Sequence, residues 1–98
     1  MTVGEMRAAV IVRDGGCVAP RLDPDSGPCF DRWGGPLGNR FDVEIDYIRE
    51  ASTGARHELA RDHVAVCAGH HRGMGPRRGR QWATAHRPLL RDYLTGLA

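Results

Sequence analysis

Lysine is absent from this chain: all 14 of its basic side chains are arginine, set against 12 carboxylates. The resulting net charge of +2 is too small to indicate strong nonspecific binding to DNA. Arginine stays charged and can pair bidentately with a phosphate group. What these side chains can do therefore depends on where they cluster.

Carboxylates are missing between positions 72 and 91, a stretch that contains six arginines. Two interpretations stay open: a solvated arginine-rich surface of the kind that a GC-rich genome encodes, or a face that binds phosphates of DNA. The second interpretation makes four of these residues candidate nucleic-acid contacts: Arg72, Arg77, Arg78 and Arg80.

Long apolar segments are absent as well. No stretch reaches the roughly 18 apolar residues of a membrane span, and the N-terminus lacks the basic-then-apolar pattern of a signal peptide. We therefore expect no membrane partner and a cytoplasmic location. In that reducing compartment, an odd set of three cysteines indicates metal ligands rather than disulfides.

Aromatic residues are scarce, with two each of Trp, Tyr and Phe among 98 residues. A chain of this length is expected to form one domain, residues 1–98, and to bury only roughly 60–65% of its unfolded surface. Its stability is then marginal without further support. A structural metal ion is one such support in small domains.

The two ends of the chain carry helix signals. Thr2-Val3-Gly4-Glu5 has the form of a capping box and predicts an N-terminal helix over residues 1–16. Residues 17–40 are rich in proline, glycine and aspartate and predict a long loop that contains Cys17 and Cys29. Residues 74–98 predict an arginine-rich turn and a C-terminal helix, with Pro88 suited to its first turn.

The central segment, residues 41–73, predicts two strands and a helix. Apolar and acidic residues alternate over positions 41–48, which is typical of a strand, and positions 63–66 form a second short strand. Positions 67–72 predict a helix that Gly73 ends. The fold class is therefore α+β, with helices flanking a ββα core.

Cys67-Ala68-Gly69-His70-His71-Arg72 is the most informative stretch. Cys67 and His70 have the C-x-x-H spacing of half a zinc site. Adjacent side chains on a helix diverge by about 100°, so one metal ion rarely takes both histidines. This pattern predicts a structural role for His70 and a chemical role for His71.

Cys17 and Cys29 complete a Cys3His set that suits a closed tetrahedral zinc site. The alternative is that both are small buried residues, because buried free cysteine is common. Both lie in a polar loop, however, where an apolar thiol has little to pack against. The sequence therefore favours a structural zinc ion held by Cys17, Cys29, Cys67 and His70.

The order and spacing of four segments resemble the HNH endonuclease family, the ββα-metal fold, in the small form often encoded by bacteriophages. The segments are residues 6–17, Glu44-Ile45-Asp46-Tyr47-Ile48, residues 62–71 and residues 82–94. The resemblance covers nearly the whole chain. It implies a small zinc-stabilised domain that acts on DNA, with phage packaging proteins as further partners and the host cytoplasm as location.

The resemblance also implies a catalytic site. Asp46 takes the place of the Asp that binds a catalytic Mg²⁺ or Mn²⁺, and His71 takes the place of the final His, as ligand or phosphate contact. Asp62 stands where an Asn is expected and keeps an oxygen ligand for a hard cation. The implied reaction is hydrolysis of a DNA phosphodiester, with the metal ion stabilising the leaving oxygen.

Tyr47 departs from the family pattern, because it occupies the place of the general-base histidine. A phenol has a pKa of about 10 against roughly 6.5 for imidazole, so about a thousandth of it is ionised near neutral pH. General-base catalysis is typically worth about 10²–10⁴-fold. His63 and His57 are the candidate substitutes, although His63 is expected to be a partly exposed strand residue on the opposite side.

Three hypotheses follow. The chain is an HNH endonuclease weakened at Tyr47, a catalytically retired HNH module that binds DNA or a protein, or a zinc-stabilised structural protein. Trp33 and Trp82 are expected to pack against the core rather than to stack on bases. Asp42 and Glu44 share a predicted strand face with Asp46 and either enrich the metal site or form a solvated acidic face.

Overall fold

The computed structural model describes residues 2–48, 60–77 and 80–97. Five helices and two strands follow one another along this part of the chain: α1 (Val3–Asp14), α2 (Ala19–Leu22), β1 (Glu44–Tyr47), β2 (His63–Val66), α3 (Ala68–Arg72), α4 (Trp82–Ala85) and α5 (Arg87–Gly96). Short 3-10 turns lie at Pro24–Ser26, Ala60–Asp62 and Gly75–Arg77. The fold is therefore α+β, as predicted. None of the helices in these ranges has the length and apolar character needed to cross a membrane.

Helix α1 begins and ends where the sequence predicts. The Thr2 hydroxyl accepts a hydrogen bond from the Glu5 amide at 3.1 Å, and the Glu5 carboxylate accepts one from the Thr2 amide at 3.1 Å. This reciprocal pair is the predicted capping box. Gly15 ends the helix with a φ of 70°, a left-handed conformation that favours glycine. Cys17 follows two residues later.

Strands β1 and β2 form an antiparallel pair in which Glu44 is opposite Val66 and Tyr47 is opposite His63. Side chains alternate between the two faces of a sheet, so Glu44 and Asp46 share one face and Tyr47 shares the other with His63. The second strand matches the prediction. The first is shorter than the predicted 41–48: it stops at Tyr47, and at its start residues 41 and 42 turn back on Asn39 instead of pairing.

That turn has a simple cause. The side-chain oxygen of Asn39 accepts from the Phe41 amide at 2.9 Å, and its main-chain oxygen accepts from the Asp42 amide at 2.9 Å. Asparagine often organises turns in this way, because its side chain competes with ladder hydrogen bonds.

The two faces of the sheet carry different helices. The larger buried cluster covers the Asp46 face and comes from α2, the sheet, α4 and α5: Val18, Ala19, Ile48, Val64, Val66, Trp82, Ala83, Leu90 and Leu94. The smaller covers the other face and joins α1 to the sheet: Met6, Val10, Val43 and Ala65. The sheet is thus enclosed on both sides, and Glu44 and Asp46 lie on the same side as α4 and α5.

The predicted loop over residues 17–40 is wrong for Ala19–Leu22, which form helix α2. Pro20 occupies its first turn, where the main-chain amide has no partner within the helix, so the missing N–H of proline costs nothing and its fixed φ suits a helix. The Val18 amide donates to the Ala65 carbonyl at 3.0 Å and so attaches this segment to β2.

A buried carboxylate joins α1, β2 and α5. Asp14 accepts hydrogen bonds from the Ala65 amide at 2.8 Å, from the Arg13 guanidinium at 2.8 Å and from the Tyr93 hydroxyl at 2.5 Å. Burial and the adjacent Asp14 carboxylate both raise the pKa of Tyr93, so its hydroxyl stays a donor. The charge of Asp14 is therefore compensated inside the fold.

Candidate metal centre and adjoining acidic cluster

The predicted Cys3His set comes together in space. The donor atoms of Cys17, Cys29, Cys67 and His70 all lie within 4.8 Å of one another. The Nδ1 atom of His70 is 3.0 Å from the Cys67 sulfur and 3.7 Å from each of the other two sulfurs. Sulfur and nitrogen ligands of a tetrahedral zinc ion, at about 2.3 and 2.0–2.1 Å from it, lie roughly 3.6 Å apart. The four side chains could therefore hold a metal ion such as zinc.

The ring of His70 is oriented for that role. Its Nε2 atom lies 3.0 Å from the main-chain oxygen of Ser26 and donates to it, which leaves the Nδ1 lone pair facing the three sulfurs. Metal-bound histidines in proteins usually donate their second ring nitrogen in this way. The Trp82 and His70 rings pack in a T-shaped arrangement with centroids 5.7 Å apart, and His70 is fully buried.

Cys67 and His70 are held together by the start of helix α3. Cys67 is the N-cap of the helix, and its sulfur accepts from the His70 amide at 3.4 Å. The helix ends at Gly73 with a φ of 73°. Its single turn thus brings both ligands to one end, as the C-x-x-H spacing predicts.

The turn that carries Cys29 packs directly on α3. The Gly69 amide donates to the Phe30 carbonyl at 3.0 Å, and a Cβ at Gly69 would come within 3.0 Å of the Phe30 Cβ. A side chain at this position would therefore push the Cys29 turn and α3 apart. The Leu37 amide donates to the Cys29 carbonyl at 3.2 Å and closes the turn.

The thiols of the cluster differ in acidity. Hydrogen bonds from Cys17 and Cys29 lower the pKa of Cys67 well below that of a free thiol, with a smaller contribution from His70. The same contacts and burial raise the pKa of Cys17. A bound cation would favour ionisation of all three thiols.

A second polar cluster lies beside this centre and contains two of the predicted catalytic residues. The Nδ1 atom of His71 is 2.8 Å from a carboxylate oxygen of Glu44, and its Nε2 atom is 3.7 Å from one of Asp46. Interaction with Asp46 and Glu44 raises the pKa of His71, although partial burial opposes the shift. Glu44, Asp46 and His71 are called the acidic cluster below.

Two arginines hold the carboxylates of the acidic cluster. Arg72 contacts both carboxylate oxygens of Glu44, at 2.9 and 2.6 Å. Arg87, at the start of α5, donates to an oxygen of Asp46 at 3.1 Å and to the Tyr47 carbonyl at 3.0 Å. Each carboxylate is thus paired with an arginine, Glu44 with Arg72 and Asp46 with Arg87, in addition to its contact with His71.

Tyr47 lies away from the acidic cluster. The strand alternation directs it to the α1 face of the sheet, where its ring packs on His63 with centroids 5.1 Å apart. The expectation that His63 is partly exposed is wrong, because the residue is buried, with only 5% of its surface exposed. His63 therefore does not share the face of Asp46 and His71.

The remaining predicted site residues are placed as follows. Asp62 is buried just before β2, and its main-chain oxygen accepts from the Ile48 amide at 2.9 Å. The role of its carboxylate as a ligand stays a prediction. Among the candidate nucleic-acid contacts, Arg72 is paired with Glu44 and Arg80 is exposed. Arg78 and the side chain of Arg77 lie outside the described residues. His57 does as well.

The expectation of packed tryptophans holds for one of the two. Trp82 is buried, stacks on His86 and donates its indole N–H to Asp23 at 2.8 Å. Trp33 instead is 77% exposed, so the packing expectation is wrong there. The difference arises because Trp33 lies at the tip of a turn that points away from the core.

Sequence reasoning missed the contributions of Glu44 and Arg87. Glu44 had two open interpretations, and its contact with His71 depends on how α3 lies across β1. Arg87 is far from Asp46 along the chain, and nothing in its local sequence marks it. Only the i, i+2 spacing of Glu44 and Asp46 on one strand gave a signal, since it places both on one face.

Comparison with protein-family models, with curated proteins and with solved structures finds no match for this chain. The HNH resemblance thus rests on the sequence motifs alone.

Proposed function

We propose that this chain is a zinc-stabilised module of HNH type that hydrolyses phosphodiester bonds in DNA at the acidic cluster. The observation that carries the proposal is the orientation of His71. Glu44 accepts a hydrogen bond from Nδ1 at 2.8 Å, and Nε2 is directed toward Asp46. This is the carboxylate–histidine arrangement that prepares an imidazole to bind a divalent cation.

The two predicted ligands lie close enough to share one cation after a small movement. The 3.7 Å between His71 Nε2 and the Asp46 oxygen is longer than a hydrogen bond. Two adjacent ligands of an octahedral Mg²⁺ ion, each about 2.0–2.1 Å from it, lie roughly 2.9 Å apart, so the two side chains would close by about 0.8 Å when the ion binds. Asp46 and His71 would hold Mg²⁺ or Mn²⁺, which would supply charge stabilisation at the leaving oxygen.

The Cys3His centre has a separate, structural role in this proposal. It connects the end of α1, the Cys29 turn and the start of α3. His71 is the residue after the zinc ligand His70, so the same helical turn that carries the ligand directs His71 toward β1. The zinc ion would thus position the acidic cluster without contacting substrate.

The position of Tyr47 predicts slow cleavage. It packs on His63 at the α1 face and cannot act as a base at the acidic cluster. Without that contribution the rate would fall by about 10²–10⁴-fold. The ion pairs of Glu44 with Arg72 and of Asp46 with Arg87 must also loosen before a cation binds.

The same two observations favour a second candidate function, a retired HNH module that binds DNA without cutting it. In that case the acidic cluster is a closed, charge-balanced network, and the exposed arginines contact phosphates. The two candidates differ in DNA cleavage and in the presence of a second metal ion at Asp46 and His71.

The test is a nicking assay on supercoiled plasmid with Mg²⁺ or Mn²⁺. We expect slow nicking by the unmodified chain, loss of nicking in His71→Ala and Asp46→Asn, and no change in Asp92→Asn, which alters an exposed carboxylate on α5. Circular dichroism and zinc content confirm that each variant is folded. Tyr47→His is run in parallel to test the position of the family's base.

Absence of nicking in every one of these proteins, together with binding of the same plasmid, would replace the nuclease with the retired module. Nicking that survives His71→Ala and Asp46→Asn would also refute the assignment of the acidic cluster. Because the structure directs Tyr47 away from that cluster, we expect Tyr47→His to increase nicking by less than tenfold, below the typical contribution of a general base.

A further inference from the structure

Two aromatic side chains near the Cys29 turn are exposed, although the whole chain contains only six. Trp33 is 77% exposed and Phe41 is 45% exposed. Each ring carries an arginine: the guanidinium carbon of Arg32 lies 5.0 Å from the Trp33 centroid, and that of Arg40 lies 4.7 Å from the Phe41 centroid. Flat rings paired with cations characterise surfaces that stack bases and attract phosphates.

The two pairs belong to adjoining parts of one surface. The guanidinium of Arg32, which covers Trp33, also contacts the carboxylate of Asp42 at 3.1 Å. Asp42 directly follows Phe41 in the chain. Arg32, Trp33, Arg40 and Phe41 are called the stacking surface below.

The tip that carries Trp33 is held in place. A carboxylate oxygen of Asp31 accepts from the Trp33 amide at 2.9 Å and from the Gly35 amide at 3.0 Å. Gly34, with a φ of 86°, lies against Gly75, where a Cβ would meet main-chain atoms at 3.3 Å. An exposed ring on a fixed turn loses little conformational freedom when it binds a ligand.

The charge of this region complements a nucleic-acid strand. The carboxylate of Asp31 accepts hydrogen bonds within its own turn, and that of Asp42 is paired with Arg32. Both contacts weaken the repulsion that these carboxylates would exert on a phosphate. Each exposed ring has a guanidinium group over it, that of Arg32 over Trp33 and that of Arg40 over Phe41. Cations therefore border the exposed rings.

We propose that the stacking surface binds unpaired bases of single-stranded DNA, with Trp33 as the principal stacking platform. This inference rests on the proposed function and names the form of DNA that the module engages. Bases in an intact duplex stack on one another and cannot reach an aromatic platform, whereas unpaired bases of any sequence can. The two arginines would contact the phosphates beside the stacked bases.

Fluorescence anisotropy with a labelled 16-nucleotide oligo(dT) tests the proposal on the zinc-loaded chain, without added Mg²⁺ or Mn²⁺. We expect tighter binding to the single strand than to a duplex of equal length. Trp33→Ala should weaken single-strand binding by about 5- to 150-fold, the usual range for loss of one stacking platform. Trp33→Phe, which keeps a flat ring, should retain affinity to within about fivefold.

Val12→Ala is the matched control, because Val12 is an exposed apolar residue on α1 and is not part of the stacking surface. Intrinsic fluorescence gives a second readout. The chain has two tryptophans and Trp82 is buried, so quenching by the oligonucleotide must come from Trp33. It should disappear in Trp33→Phe while anisotropy still reports binding.

Equal affinity for single strand and duplex would overturn the proposal, as would unchanged binding by Trp33→Ala. If Trp33→Ala converts a dimer to a monomer in sedimentation and leaves DNA binding unchanged, the surface is a contact between protein copies and the proposal is wrong. These results are independent of nicking, so failure here and failure of the nuclease proposal are distinguishable.

Discussion

Replacing Cys29 by serine should show how much of the stability of this chain depends on metal. A domain of 98 residues has a free energy of unfolding of about 5–15 kcal/mol. Structural zinc sites contribute about 10–16 kcal/mol in apparent binding free energy. Binding of zinc is therefore comparable to the whole stability, and the metal-free chain should be largely unfolded.

Cys29 is the preferred position because serine keeps the size of the side chain and Cys29 is only partly buried. Its loss should therefore report the metal rather than packing. Loss of a residue that merely supports a ligand weakens metal binding by about 10–100-fold, so loss of a ligand should exceed the upper value. A 100-fold loss lowers the free energy of unfolding by about 2.7 kcal/mol. The melting temperature should then fall by roughly 11–22 °C.

The assay is thermal unfolding followed by circular dichroism, with zinc content measured by mass spectrometry. The unmodified chain should hold one zinc ion. The control is the same comparison after chelation, where the difference between the two proteins should vanish. A difference that persists without metal, or equal melting temperatures with zinc present, would refute the structural role of the Cys3His centre.

Three further substitutions, with Gly96→Ala as a control, test packing and capping by urea unfolding. Tyr93→Phe removes a donor from the buried Asp14 carboxylate and should cost about 1–3 kcal/mol; no loss would mean that water replaces the hydroxyl. Gly69→Ala should cost about 1–3 kcal/mol through overpacking, whereas Gly96→Ala, with no atom within 4 Å, should be neutral or stabilising, and the reverse order would contradict the contact with the Cys29 turn. Thr2→Ala should cost about 1 kcal/mol, and a stable variant would indicate that the capping box is redundant.

The sequence predicted those features whose signals are local. The capping box of α1, the four residues of β2 and the turn of α3 each depend on residues a few positions apart. The Cys3His set was also predictable, because its chemistry leaves few alternatives for three cysteines and a histidine at that spacing. Distance along the chain did not matter there.

The features that the sequence did not predict depend on tertiary contacts. The ion pair of Arg87 with Asp46 spans 41 positions and follows from how α5 lies on the sheet. His63 is buried because α1 covers its face, which a four-residue pattern cannot reveal. Helix α2 was predicted as loop because of Pro20, since proline suits both a loop and the first turn of a helix.

The four predicted metal ligands are spread along the chain, and this has a consequence for the order of folding. Cys67 and His70 are three positions apart, so an unfolded chain can present both to a zinc ion at little entropic cost. Cys17 is 53 positions from His70 and can join only after a long loop closes. We expect zinc to be captured first at the local pair, so that the start of α3 becomes the nucleus onto which the end of α1 later docks.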